Sequence, residues 1–287
     1  MTLNIGWIGC GRHATQMLLP QLARNGARLA AVCDRDVPAA KATAHTYGVT
    51  AVYDDYLALL DHPALDAVGM AVGPQLHQSA AIEALARGLP VFMEKPPAAD
   101  RAGAEAIAEA AEKARLPVVV GFMKRYATGN RIARNILHGG DFGPVLGLVG
   151  SYMTAPTYFA GNVDYSGFFL HHCVHYMDLM PWLAGSDIVD MTARKVEPAP
   201  GRLLFHTSFA CASGAIGTMV MGTVQSRGTP MEFVQVMGDH RRVEVDNIIH
   251  VAYYRDPPFK ADDPAAILDP AADTLSWTPN FTAAANE

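Results

Sequence analysis

Charged residues are scarce in this chain, at 17% of its 287 positions against the roughly 25% of an average soluble domain. Lys and Arg together number 22 and Asp and Glu 28, so the formal net charge is −6. This acidic balance argues against a nucleic-acid-binding protein, because affinity for phosphates needs a basic surface. Half of the residues are hydrophobic, which predicts a large buried core and excludes a disordered chain.

Long apolar runs and paired cysteines are also missing. No apolar run reaches the ~18 residues that a membrane span needs, so we expect no membrane partner. The chain starts without a basic leader, and we therefore expect no secretory signal. The four cysteines lack CxxC spacing and are typical of small core residues in a reducing compartment, which predicts a cytoplasmic protein without disulfides or a metal site. They are Cys10, Cys33, Cys173 and Cys211.

The first part of the chain alternates short apolar runs with Ala-rich stretches of helical length, the pattern of βαβ units. Predicted strands cover 3–9, 29–33, 67–72, 90–93 and 118–122. Predicted helices cover 15–25, 37–47, 75–87 and 101–113, and three of them are followed by Gly26, Gly48 or Gly88 as candidate caps. Helices on alternate faces predict an α/β domain over residues 1–122, a doubly wound parallel sheet of the Rossmann type.

The remaining residues, 123–287, show a different pattern. A helix over 128–138 is followed by a strand over 145–152 and an apolar helix over 167–183. Further strands are predicted over 189–196, 203–211, 215–224, 232–237, 241–246 and 248–254, and an irregular tail from 256. Successive strands with short turns predict an α+β domain with a mostly antiparallel sheet.

A glycine-rich turn follows the first predicted strand. Residues 9–14 read GCGRHA, a GxGxxA form of the dinucleotide-binding fingerprint. Its glycines allow a tight turn and a close approach of backbone to a pyrophosphate, and the N-terminus of the following helix attracts phosphates. Asp34 ends the next strand, 25 residues after Gly9, where an acid binds ribose hydroxyls. The alternative is a glycine turn that binds nothing. The predicted cofactor ligands here are Gly9, Cys10, Gly11, Arg12, His13, Asp34 and Arg35.

Asp34 and Arg35 bear on the choice between NAD and NADP. The carboxylate of Asp34 would repel a ribose 2′-phosphate, which favours NAD. NADP stays open as an alternative, because the neighbouring Arg35 could pair with that phosphate or stack on adenine.

A charged pair, Glu94-Lys95, follows the predicted strand 90–93 and precedes Pro96. The carboxyl ends of strands in such sheets line the ligand crevice. The proline holds Lys95 out of the helical region, so its side chain can project over a cofactor. A lysine in a partly desolvated cleft suits donation to, or deprotonation of, a substrate hydroxyl. A surface ion pair at a strand end is the alternative.

Three histidines lie within five residues of the predicted helix 167–183. His171, His175 and Asp178 stand at i, i+4 and i+7, so all three are predicted to share one helical face. The reference pKa of histidine suits His175 to accept a hydroxyl proton near neutral pH. His172 points elsewhere and is interpreted as a packed residue, and Asp178 as a structural partner. A zinc site on the HxxxH face is an alternative, although no third strong ligand with recognisable spacing follows.

These motifs together resemble the Gfo/Idh/MocA oxidoreductase family. The matching segments are GCGRHA, Asp34, Pro74 with His77, Glu94-Lys95-Pro96, GFMKRY at 121–126 and CVHYMD at 173–178. The resemblance implies a Rossmann domain, a second domain whose open sheet often mediates oligomers, and hydride exchange between NAD(P) and a sugar, sugar derivative or cyclitol. It also implies a homo-oligomer, a dimer or tetramer.

The resemblance implies roles for individual residues. Lys95 would bind the reacting hydroxyl and the nicotinamide ribose, and His175 would be the acid/base. Pro74, His77 and Glu94 join the cofactor-binding residues. Family members usually carry an aspartate where this chain has His171, which we expect to contact substrate or tune His175. They also commonly continue into a C-terminal helical segment, which we do not find before Glu287. The predicted substrate-binding residues are Lys95, Tyr126, Tyr152, Asp164, His171 and His175.

Two other functions stay open beside the dehydrogenase. A sensor or regulatory protein could keep the nucleotide site without catalysis, a possibility raised by His171. Redox-neutral chemistry through a transient ketone would proceed with no net change in NAD. The loop around Asp164 could equally be an ordinary surface loop.

Overall fold

The computed structural model describes residues 2–155, 165–226, 231–255 and 275–277. The chain divides into two compact units, Met1–Gly121 and Phe122–Glu287. Within the described ranges, no helix has the length and apolar character needed to cross a membrane.

Unit 1 is built on a six-stranded parallel sheet. Its strands are β1 (Leu3–Ile8), β2 (Ala27–Cys33), β3 (Ala51–Tyr53), β4 (Ala67–Met70), β5 (Val91–Met93) and β6 (Val118–Val120). Their order in the sheet is β3-β2-β1-β4-β5-β6, the doubly wound Rossmann arrangement that the sequence predicts. The direction of winding reverses between β1 and β4. The carboxyl ends of these two strands therefore flank the crevice where such sheets bind ligands.

Five α-helices are described in unit 1, some of them capped at the start by an aspartate side chain. They are α1 (Leu19–Arg24), α2 (Val37–Tyr47), α3 (Tyr56–Leu60), α4 (Pro74–Ala86) and α5 (Arg101–Ala114), with a π-helical turn over Ala14–Leu18 preceding α1. The side chain of Asp36 accepts from the amide of Ala39 at the start of α2, and Asp100 accepts from Gly103 at the start of α5. Helix α2 ends at Gly48, whose φ of 68° is left-handed.

Two elements of unit 1 are missing from the sequence prediction. Strand β3 and helix α3 are three and five residues long, too short to show the periodicity on which the prediction rests. The predicted helix 15–25 is also wrong in its first part, because a π-helical turn opens it.

Unit 2 holds an eight-stranded, mostly antiparallel sheet, as predicted. Its strands are β7 (Gly147–Met153), β8 (Ile188–Ala199), β9 (Arg202–Cys211), β10 (Ile216–Gly222), β11 (Met231–Gly238), β12 (Arg241–Asp246), β13 (His250–Tyr254) and β14 (Leu275–Trp277). The order is β14-β13-β12-β11-β7-β10-β9-β8, and β7 pairs with β10 in parallel. Strand β14 corrects the prediction of an irregular tail from residue 256, because its three residues pair with β13.

Helices cover one face of this second sheet. They are α6 (Thr128–Leu137), α7 (Tyr165–Phe168) and α8 (Val174–Ala184), and α7 and α8 are joined by a π-helical turn over Phe169–Cys173. The core between α8 and β7 includes Leu148, Leu179 and Met180, each no more than 1% exposed. Gly150 on β7 allows this contact, since a Cβ there would lie 2.6 Å from the Met180 side chain. Pro181 does not end the helix, which continues to Ala184.

Candidate functional site

The phosphate-binding turn of unit 1 needs glycine at its first position. Gly9 has a φ of +96°, and a Cβ on it would lie 2.4 Å from the carbonyl oxygen of Ala71. Gly11 differs, because a Cβ there would meet nothing within 4 Å. Its backbone is therefore open to an approaching group, and the first helical amides after it have no acceptor within the helix. This cradle fits a pyrophosphate.

Asp34 ties the turn to the end of β2. Its Oδ2 accepts from the amide of Cys10 at 2.7 Å, and its Oδ1 accepts from the amide of Asp36 at 2.9 Å. The carboxylate is thus fixed beside the glycine turn, and each oxygen keeps a further lone pair for a ribose hydroxyl. The residues present fit the ribose and pyrophosphate of a dinucleotide. The guanidinium of Arg12, by contrast, bonds to Gln16 at 3.0 Å, and Arg35 is exposed.

The two cysteines of the turn region are packed as neutral thiols. Burial raises the pKa of Cys10 to about 11 and that of Cys33 to about 12. All four cysteines of the chain are free and buried in the structure. Thiolate chemistry is therefore suppressed at the turn, and Cys10 can contribute only its backbone to a cofactor.

The segment after β5 carries a half-buried lysine beside a carboxylate. Burial lowers the pKa of Lys95, and the charge of Glu94 opposes this effect only in part. Burial alone would raise the pKa of Glu94, but a hydrogen bond and charge from His13, together with Lys95, lower it. The imidazole Nε2 of His13 lies 3.4 Å from Glu94 Oε1. The pair is thus enclosed, in contrast to the alternative of a surface ion pair, and Gly121 leaves room for it.

His77 holds the segment after β5 by a hydrogen bond to Pro96. Both of its ring nitrogens are hydrogen-bonded within unit 1, so neither is left for a cofactor. Its Nε2 accepts from the amide of Val72 at 3.1 Å, and Nδ1 lies 2.9 Å from the carbonyl oxygen of Pro96. These partners require the neutral tautomer that carries its proton on Nδ1. The residue is completely buried, and burial lowers its pKa. The expectation that His77 binds cofactor directly is therefore corrected to a structural role, while Pro74 begins helix α4.

In unit 2 the histidine segment is not an uninterrupted α-helix. The π-helical turn Phe169–Cys173 contains His171 and His172, and His175 follows in α8. His171 and His175 thus lie in helical turns of different type. His171 is exposed, whereas His172 and His175 are buried. Of the two proposed catalytic histidines, His175 is the buried one, and its ring lies against that of Tyr152.

Tyr152 is the centre of a packed ring cluster. Its ring stacks on His172 at 4.0 Å and on Tyr176 at 4.8 Å between centroids, and His175 lies edge-on at 6.4 Å. Only 3% of Tyr152 is exposed. The ring of Tyr152 is used in packing the histidine helix against β7, and a contact of Tyr152 with substrate stays a prediction.

Two further predicted substrate residues belong to the sequence of unit 2, Tyr126 and Asp164. Tyr126 is 48% exposed, and Asp164 lies outside the described residues. Arg125 and Asp178 pair through two hydrogen bonds, the longer of them 2.7 Å from Nε to Oδ2. This pairing confirms the interpretation of Asp178 as a structural partner. Burial outweighs Arg125 and raises the pKa of Asp178.

Sequence reasoning missed a buried ion pair between Lys124 and Glu232. Their side chains are 5% and 8% exposed. An acid at the start of the apolar run MEFVQVMG is the signal that could have identified Glu232, since charged residues in buried strands need a partner. Within the described part of the chain, no group of three or more His, Cys, Asp or Glu residues could hold a metal ion.

Comparison with known proteins bears on both units. Residues 3–122 match the model of the GFO_IDH_MocA family, described as an oxidoreductase family with an NAD-binding Rossmann fold. Inositol 2-dehydrogenase 2 of Saccharopolyspora erythraea is 33% identical over 195 residues, covering 67% of this chain and 57% of that protein. Inositol 2-dehydrogenase of Ralstonia nicotianae is 34% identical over 207 residues, covering 70% and 60% respectively. The chain thus spans less than two thirds of the length of these relatives.

A solved structure resembles nearly the whole chain. The dehydrogenase from Chromobacterium violaceum matches with a TM-score of 0.83 and 24% identity, covering 98% of this chain and 82% of that one. This likeness supports the two-sheet α/β architecture. Through residues 3–122, the chain belongs to the GFO_IDH_MocA family of oxidoreductases with an NAD-binding Rossmann fold.

Proposed function

We propose that this chain is an NAD-dependent dehydrogenase or reductase that exchanges a hydride with the CH–OH or carbonyl carbon of a sugar, sugar derivative or cyclitol. The observation that carries the proposal is the half-buried Lys95, with its lowered pKa, directly after β5 of a sheet whose Asp34 and glycine turn fit a dinucleotide. The relatives named inositol 2-dehydrogenase support a polyhydroxylated substrate.

NAD supplies the hydride acceptor when it is bound. The Lys95 Nζ donates to the reacting hydroxyl oxygen and stabilises the negative charge that grows there as the C–H bond breaks. His175 accepts the hydroxyl proton on an imidazole nitrogen, so the alcohol loses a proton and a hydride and becomes a ketone. In the reductive direction the same groups return the proton to the carbonyl oxygen.

The cofactor preference follows from Asp34. A carboxylate held by two backbone amides accepts ribose hydroxyls and repels a 2′-phosphate, which favours NAD over NADP. The exposed Arg35 keeps NADP as the competing cofactor.

The test is NADH and NADPH formation by the purified protein with cyclitols, aldoses, sugar acids and nucleotide sugars. Lys95→Ala and His175→Ala should each lower kcat by about 10²-fold or more, while NAD affinity stays within a few fold of the parent value. Lys113→Ala and His45→Ala remove the same residue types from exposed helical positions and serve as matched controls. Full turnover by either site variant would refute the role assigned to that residue.

A second candidate is a nucleotide-binding sensor, and the exposed His171 in the π-helical turn favours it. A sensor would bind NAD tightly without turnover on any substrate, and Lys95→Ala would leave that binding unchanged. Net conversion of a substrate at constant NAD would instead indicate redox-neutral chemistry.

We also propose that the protein is cytoplasmic and forms a homo-oligomer, a dimer or tetramer. An open groove of about 680 Å³ crosses unit 2's sheet and is lined by Leu146, Phe209, Ile216 and Met237 among others. Leu146 and Ile216 are 51% and 66% exposed, and apolar patches of this kind are typical of subunit interfaces. Light scattering would measure the mass, and a monomer that Ile216→Lys leaves unchanged would refute the oligomer.

A further inference from the structure

Two oppositely charged side chains are buried together in unit 2, beside the ring cluster. Lys124 lies in the short 3₁₀ turn Met123–Arg125 and Glu232 on β11. The backbone of each of these two residues is held by hydrogen bonds with an asparagine. The side chain of Asn130 donates to the Lys124 carbonyl at 2.8 Å, and Asn247 exchanges hydrogen bonds with the backbone of Glu232 at 2.7 and 3.0 Å.

General stability does not explain this pair. Removing two charges from water costs several kcal/mol per ion, and a buried ion pair is often no more stabilising than apolar residues of similar size. Glu232 Oε2 is buried and has no hydrogen-bond partner among the residues that the structure describes, so these residues leave one carboxylate oxygen unsatisfied. A buried polar group of this kind calls for a specific role.

The pair acts on the ring cluster through Tyr152. In the sheet, Glu232 stands directly opposite Tyr152 on the neighbouring strand. The Lys124 ammonium lies 5.1 Å from the centroid of the Tyr152 ring, a cation–π distance. That ring stacks on His172 and meets His175 edge-on at 6.4 Å. Moving the ammonium would therefore move the surface on which the histidine segment rests.

The pair also has an electrostatic effect on the same helix. Burial raises the pKa of Tyr176 well above its usual value, and the charge of Glu232 adds to this shift. The field of Glu232 therefore reaches α8. Lys124, in contact with the carboxylate, supplies the opposite charge, so the two together present little net charge to the histidines.

We infer that Lys124 and Glu232 are positioning residues for His175: their contact fixes Tyr152, against which His175 lies, and each cancels the charge that the other would exert on the imidazole. The inference rests on the proposed role of His175 as the proton acceptor. The charged and titratable groups described on the elements packed around His175 in unit 2 are His171, His172, Cys173, Tyr176, Asp178, Tyr152, Lys124, Arg125, Glu232, Arg131 and Arg134.

The test separates the two charges. Glu232→Gln keeps the shape and leaves Lys124 as an unbalanced cation, which lowers the pKa of His175. Lys124→Met leaves an unbalanced anion, which raises it. The distances of 5.1 and 6.4 Å place the ammonium within about 12 Å of the imidazole, and one charge at that separation shifts a pKa by about one pH unit at an effective dielectric constant near 20.

The measurements are the acid limb of kcat/KM against pH and the NMR titration of the His175 ring, assigned with His175→Ala. We expect the acid limb of the pH profile to be displaced in opposite directions in Glu232→Gln and Lys124→Met. In Lys124→Met kcat should fall at least 10-fold, and in Lys124→Arg kcat should return to within a few fold of the parent value. Lys195→Met, which removes an exposed ion pair with Glu197, is the matched control and should match the parent protein.

The outcomes distinguish the positioning role from the catalytic one. Folded Glu232→Gln and Lys124→Met proteins whose His175 titration is unmoved refute the positioning role, whether or not kcat falls. A titration that moves as expected, in a protein in which His175→Ala retains full turnover, supports positioning and refutes the proposed function of His175. If Lys124→Met fails to fold, the Glu232→Gln and Lys124→Arg variants decide the question by the same titration.

Discussion

Two glycines of the phosphate-binding turn should respond to the same substitution in opposite ways. In Gly9→Ala the new Cβ would lie 2.4 Å from the Ala71 carbonyl oxygen and 2.7 Å from a Val72 methyl group, at a φ of +96°. The left-handed backbone costs roughly 1–2 kcal/mol, and the steric overlap costs roughly 1–3 kcal/mol more. We therefore expect a loss of about 3 kcal/mol in the free energy of unfolding of unit 1.

Gly11→Ala is the matched control, because its Cβ would meet nothing within 4 Å. Its free energy of unfolding should stay within about 0.5 kcal/mol of the parent value. Its NAD affinity should nevertheless fall by at least tenfold, since the methyl group fills the space through which a pyrophosphate approaches the backbone.

Urea unfolding and calorimetric titration with NAD measure the two effects on the same preparations. For Gly9→Ala, about 3 kcal/mol corresponds to a fall in melting temperature of very roughly 6–12 °C. A Gly9→Ala protein as stable as the parent would refute the steric argument. Undiminished NAD binding by Gly11→Ala would show that the open backbone is not the phosphate site.

Three further predictions concern unit 1. Asp34→Ala should raise the ratio of NADP to NAD affinity at least tenfold, as measured by titration with each cofactor, and an unchanged ratio would place Asp34 away from the ribose. Because the pKa of His77 is lowered in the folded protein, the unfolded state binds its proton first. The free energy of unfolding should therefore fall as the pH drops below about 6.5, and urea titrations should show a weaker dependence in His77→Gln. The pKa values of Cys10 and Cys33 are raised to about 11 and 12, so iodoacetamide at pH 8 should not label either thiol in the folded protein. Mass spectrometry would measure this after the time in which iodoacetamide labels the unfolded chain fully.

The parts of the fold with local signals were predictable. The glycine turn, Asp34 and the lysine after β5 each follow a strand with clear boundaries, and parallel strands necessarily bring their carboxyl ends to one edge of the sheet. Helix α2 follows its predicted bounds, 37–47, because a capping aspartate and a terminal glycine flank it.

The parts that depend on distant contacts were not predictable. Lys124 and Glu232 are 108 residues apart, so no local pattern links them. Tyr152 has the aromatic ring and hydroxyl group that are typical of sugar-binding residues. Only its stacking on His172 and Tyr176 shows that its ring is used in packing. The π-helical turn Phe169–Cys173 was also not predictable, because sequence analysis assumes a regular α-helical periodicity, and His171 is exposed there while His175 in α8 is buried.

Because of that π-helical turn, a change in its length would rotate the residues before it relative to α8. One residue in an α-helix corresponds to a rotation of about 100°, so removing one residue from Phe169–Cys173 would turn everything before it by that angle while α8 stays packed on β7. A single insertion or deletion in this turn of the chain would therefore change which side chain the segment before α8 presents, without altering the sheet. We expect the length of the turn, and not only the identity of residue 171, to decide which side chain can meet a substrate.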